Sequence, residues 1–184
     1  PLAGRPMDEL LVKKAAAALG DPAGYALARQ TVLSDTRMKA WGAFVENTFE
    51  SGISNREGRA VVQNQSMTAG VLPLEVARAV VSAGLAVSPV LYVEDALLVG
   101  RKAARHELAG NALTREEWGR VPQSLQQATY YIEVATGNLM LVWACDQATA
   151  FKAAFDRSGK MDAAFRVSHE SITAAVSSGQ WKPV

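Results

Sequence analysis

The last third of the chain alternates, and that alternation is what most restricts its fold. In "TYYIEV", Tyr130, Ile132 and Val134 take one side and Thr129, Tyr131 and Glu133 the other. In "LMLVWAC", Leu139, Leu141, Trp143 and Cys145 share a face. "AFKAAFD" puts Phe151, Ala153 and Phe155 together, and "MDAAFRV" answers with Met161, Ala163, Phe165 and Val167. A period of two marks strands with one face buried. The short turns "ATGN" and "RSGK" join these runs, so the segment predicts a four-stranded antiparallel meander. Residues 147–156 also read as an alanine-rich helix. Strand is preferred because the run after "RSGK" supplies its partner.

The segments before the meander have helical spacing. "MDELLVKKAAAALG" places Asp8 and Glu9 early, Lys13 and Lys14 later and Gly20 at the stop, an order that suits the helix dipole and a glycine cap. Asp21 and Pro22 open a second helix as cap and first residue. Met38, Trp41, Phe44, Val45 and Phe49 fall near a 3.6 period in a third, which Gly52 ends. Trp41 and Phe44 read as core anchors. "LPLEVARAVVSAG" is a helix bounded by Pro73 and Gly84, and "AVSPVLYVE" a strand with Pro89 at its start or on an edge. "RAVVQNQ" reads equally as a strand or a helical turn. Thr114 and Glu117 have capping-box spacing before Trp118, and Pro122 interrupts or kinks that helix. The tail "HESITAAVSSGQWKPV" reads as a short helix and an extended end. The polar stretch "SGISNREG" (51–58) divides a helical annex, 1–52, from an α+β domain, 59–184. The expected class is α+β, with helices first and packed on one face of the sheet.

Composition narrows the chemistry. The chain has 184 residues, 49% of them hydrophobic, enough for a packed core without staples. Its single cysteine, Cys145, leaves no intrachain disulfide and no cysteine zinc cluster, and on an apolar strand face it reads as an inert small hydrophobe. Nineteen basic against eighteen acidic residues give a net charge of +1, below the usual excess of a dedicated nucleic-acid binder. No apolar run reaches 18 residues, so no membrane span is expected. The chain starts at Pro1 without a cleavable signal or an initiator Met, and an upstream part is expected to be missing. No glycine-rich phosphate loop and no Gly-x-Ser-x-Gly elbow occurs. The only histidines, His106 and His169, lack metal-ligand spacing, so neither metal nor cofactor is expected.

One stretch, "ALLVGRKAARHEL" (96–108), concentrates cations. Arg101, Lys102 and Arg105 have the spacing of a shared helix face and form a candidate nucleic-acid contact, with His106 beside them. Lys152 lies opposite Phe151 on its strand, Arg166 opposite Phe165, and Ser168 and His169 follow at a strand end. Two readings stay open. In one, His106 and the cations are a solvated face and His169 a cap. In the other, His106 and His169 act as base and acid in metal-independent RNA cleavage. Arg101, Arg105 and Lys152 then hold the phosphate charge, with Ser168 beside them.

The order "VLYVEDALLVGRKAARH", "LTREEWGRVPQSLQQATYYIE", "TGNLMLVW" and a hairpin resembles the carboxy-terminal region of Mu-like phage head morphogenesis proteins, the minor head (F-type) group. That region is similar to the phage branch of the barnase, EndoU, colicin and RelE-like nuclease fold. The resemblance covers roughly residues 85 to 167. Asp95, Leu98, Arg101, Trp118, Pro122 and Leu125 match its pattern. The family often has a histidine two residues before the matched arginine. Val99 stands there in this chain, and His106 comes later. The resemblance implies a virion role more firmly than a catalytic one. That role is a structural component at the capsid interior near the portal, present in the host cytoplasm during assembly. Its partners would be portal or capsid proteins and the backbone of DNA or RNA. The alternatives are a phage-carried ribonuclease and a plain protein-interaction module.

Overall fold

The computed structural model describes residues 10, 13–14, 16–53 and 65–184. Asp8, Glu9, most of the "SGISNREG" stretch and nearly all of "RAVVQNQ" therefore lie outside the described residues. The fold is α+β.

Asp21 caps helix α1 (Pro22–Val32), its carboxylate accepting from the Gly24 N–H at 3.1 Å. Helix α2 (Asp35–Ile53) runs one residue past the expected stop at Gly52. It buries Trp41, Phe44 and Val45, and the Trp41 indole N–H donates to the Trp118 carbonyl at 2.9 Å. Strand β1 (Ser66–Val71) pairs antiparallel with β2 (Val90–Glu94) in a small sheet, with helix α3 (Leu74–Ser82) between them. Sequence reading passed over β1. Every residue of it after Ser66 is buried, so it has no polar alternation to read.

Residues 96–108 form two helices, α4 (Asp95–Val99) and α5 (Arg101–Leu108). Gly100 breaks them with extended backbone, and a Cβ there would lie 2.2 Å from the Ala96 carbonyl oxygen. A short pair, α6 (Arg115–Gly119) and α7 (Val121–Gln126), splits just ahead of Pro122. The capping box forms as read: the Glu117 N–H donates to Thr114 Oγ1 at 3.2 Å, and Glu117 accepts from the Thr114 N–H at 2.6 Å.

The meander comes next as β3 (Thr129–Glu133), β4 (Leu139–Ala144), β5 (Thr149–Phe155) and β6 (Met161–Ser168), and 149–155 is strand. Helix α8 (His169–Ser177) then leads into β7 (Trp181–Pro183), which adds to the β3 edge. The main sheet thus has five antiparallel strands in the order β6-β5-β4-β3-β7, where four were expected. Three residues are too few to show alternation, and Pro183 at an edge needs no ladder donor on its outer side.

Three further details differ from the alternation. Val134 lies beyond β3 and is exposed. In β6, Ala163 faces Ala154 but Met161 faces Phe155, so Asp162 is an extra residue at a bulge. Inward-facing residues after it are therefore Ala164 and Arg166, and Phe165 moves to the outer face. Helices also do not keep to one side of the sheet. The main core unites Trp41 and Val45 of α2 with Leu139, Leu141, Phe151 and Phe155 of the inner face. A second cluster on the outer face joins Met140, Val142 and Ala150 to Ile172 of α8 and Trp181 of β7.

Candidate functional site

Helix α5 leans on the β6 edge without placing a single residue in the core. Lys102 donates to the Asp162 carbonyl at 2.8 Å, one turn before His106 reaches Phe165. Arg101 and Arg105 are exposed, and Leu108 beyond them is 91% exposed. Spacings of four and three residues put these three on one solvent-facing stripe. The expected trio of cations is thereby divided: two arginines face water, and Lys102 is tethered to the sheet. Arg101 and Lys102 also border a shallow groove of about 330 Å³ together with Lys160, Glu94 and Asp162.

The His106 ring stacks on Phe165 with centroids 4.5 Å apart, and its Nδ1 lies 3.0 Å from Asn111 Oδ1. On the outer face the Lys152 ammonium sits 4.8 Å from the Phe165 ring centre and 5.3 Å from that of Trp181. Loss of hydration there pushes the Lys152 pKa below the ordinary lysine value. His106 and Lys152 are thus joined through Phe165. Ser168 and His169 belong to another neighbourhood. Ser168 caps α8, accepting from the Ser171 N–H at 3.1 Å. The His169 Nε2–H donates to the Asp146 carbonyl at 3.0 Å. His169 lies four residue steps beyond Phe165, about 13 Å along the strand direction at the usual rise. The two histidines share no hydrogen-bond partner among the described residues. In that set, too, no group of three or more His, Cys, Asp or Glu side chains has a metal-holding arrangement.

A deeper feature was not legible as a site. A cleft of about 440 Å³ opens between α5, the α6 corner and β6. Its walls are Phe49, Leu97, Leu98, Leu113 and Trp118, and His106, Glu107, Arg115 and Arg166 line it as well. Arg115 is held by Glu46 and Glu50, each at 3.2 Å. Arg166 Nη2 donates to Glu117 at 2.7 Å, and its guanidinium lies 5.1 Å from the Phe151 ring centre. The neighbouring Cys145 sulfur, then the Glu117 carboxylate, outweigh the loss of hydration and raise the Arg166 pKa further. Arg166 Nε is buried with no hydrogen-bond partner. Sequence reading flagged Arg166 only as a strand cation and gave no sign of Arg115, because their convergence depends on how α6 docks beside β6.

The chain matches no protein-family model, no curated protein and no solved structure.

Proposed function

We propose that the chain is a structural component of a Mu-like phage head, of the minor head or morphogenesis type. It works at the capsid interior near the portal, against portal or capsid subunits, after assembly in the host cytoplasm. The observation that carries this reading is how the matched residues divide. Asp95, Leu98, Trp118, Pro122 and Leu125 are all buried, so the pattern they form is a folding scaffold. Arg101 alone of the six is exposed, and with Arg105 one turn on it suits sequence-independent contact with phosphates of packaged DNA. The separate anchoring of His106 and His169 also favours a structural role over acid–base chemistry.

The test combines three measurements. The protein co-sediments with portal rings, and total RNA incubated with it in EDTA stays intact. Binding to duplex DNA weakens with salt, and replacing Arg101 and Arg105 by Ala lowers the slope of log affinity against log salt by about 2. RNA cleavage that His106→Ala or His169→Ala abolishes would overturn the proposal in favour of a metal-independent ribonuclease. One observation favours that second reading: His106 lines the same cleft as Arg115 and Arg166. Of its other candidate groups, Lys152 meets His106 through Phe165, while Arg101, Arg105, Ser168 and His169 lie outside that cleft.

A further inference from the structure

The cleft beside α5 has a composition that neither the exposed arginine stripe nor the scaffold role accounts for. Its volume, about 440 Å³, lies in the range of small-molecule pockets, roughly 300–1,000 Å³. Phe49, Leu98, Leu113 and Trp118 give it apolar walls, and the Arg166 guanidinium supplies a cation at the β6 side. We propose that this cleft binds a small apolar molecule ending in a carboxylate, its body against Trp118 and Leu98 and its acid on Arg166.

The assignment of an acid rests on the donors and acceptors around the cleft. Glu117 already accepts on both oxygens, from the Thr114 N–H and from Arg166 Nη2. Glu46 and Glu50 hold Arg115. Arg166 Nε remains buried without an acceptor, a costly condition for a charged donor. A guanidinium carries five N–H donors in a planar fork, so it serves Glu117 and a second carboxylate together. An amine-ended molecule of the same shape competes with Arg166 and the Thr114 N–H for Glu117 and meets Arg166 as a like charge. A wholly apolar one gives the Arg166 guanidinium no second acceptor. Glu107 at the rim sets a limit on how much total negative charge the ligand carries. One carboxylate fits, and several do not.

Titration calorimetry with octanoate, octylamine and octanol at fixed ionic strength tests the assignment. Octanoate binds one-to-one, and at least tenfold more tightly than octylamine or octanol. Arg166→Gln weakens octanoate at least tenfold. Because Arg166 also bonds Glu117, Ala103→Trp serves as the second variant: Ala103 lines the cleft from α5, a helix with no core residue, so the change fills the cleft without disturbing the core. It abolishes binding while the circular dichroism spectrum stays that of the parent. No octanoate binding by the parent protein overturns the proposal. So does equal affinity for octanoate and octylamine, or octanoate binding that a folded Ala103→Trp variant retains.

Discussion

Two tyrosines hold the α1 side of the molecule through their hydroxyls. Tyr25 donates to the Leu72 carbonyl at 2.7 Å and Tyr130 to that of Leu125 at 3.0 Å. Burial pushes both phenols up to about 12, with the Arg29 charge opposing it. The unfolded chain releases these protons near pH 10, before the folded one does. The stability that the neutral phenols contribute is therefore complete below pH 10 and is lost as pH rises toward 12. Urea unfolding measured from pH 8 to 12 shows a plateau and then a fall. Tyr25→Phe leaves the Leu72 carbonyl unpaired and costs about 1–3 kcal/mol at neutral pH. Its deficit narrows above pH 10, because the variant lacks one of the ionisations that weaken the parent. Burial of Tyr25 follows from its place in a helical stripe. The carbonyl it meets lies 47 residues away, and nothing local in the sequence points to it.

Helix α5 shows what local spacing conveys and what it omits. Charges at positions 101, 102, 105 and 106 foretold a wet helix, and the helix is indeed without core residues. The break at Gly100 was not foretold, since a glycine inside helical spacing is compatible with a continuous helix. Held mainly by the Lys102 hydrogen bond and the His106 stack, α5 buries little apolar area, and local opening of such an element costs less than global unfolding. Amide hydrogen exchange monitored by mass spectrometry is thus faster in peptides spanning α5 than in those spanning β4 and β5. Phe165→Ala removes the stacking partner and speeds exchange in α5 further, while β4 keeps its protection. Equal protection of α5 and β4 in the parent protein would contradict this. Strands β3 to β5 were readable as short alternating or apolar runs bounded by turns, although β4 is buried on both faces. The bulge at Asp162 was not, because a single extra residue exchanges the two faces of everything after it.

At the scale of the whole molecule, the outer sheet face is closed by the chain's last element. Trp181 is buried against Met140 and Val142, tilted on Tyr131 at 5.7 Å, with Lys152 over its ring. Trp181→Ala removes the largest side chain of that cluster and is expected to cost about 3–5 kcal/mol, read as a lower urea midpoint. A loss below about 1 kcal/mol would mean that β7 adds little to the fold. The sequence by itself determined helices α1 to α3, strands β2 to β6, the capping box, the hairpin turns and the α+β class. Those properties follow from periods of two and 3.6 and from residues within a few positions of one another. Only the tertiary structure decided that a fifth strand joins β3, that both sheet faces are covered, and that Arg115, Arg166 and His106 line one cleft. Each of these brings together residues tens of positions apart, and side-chain spacing along a chain carries no record of such meetings.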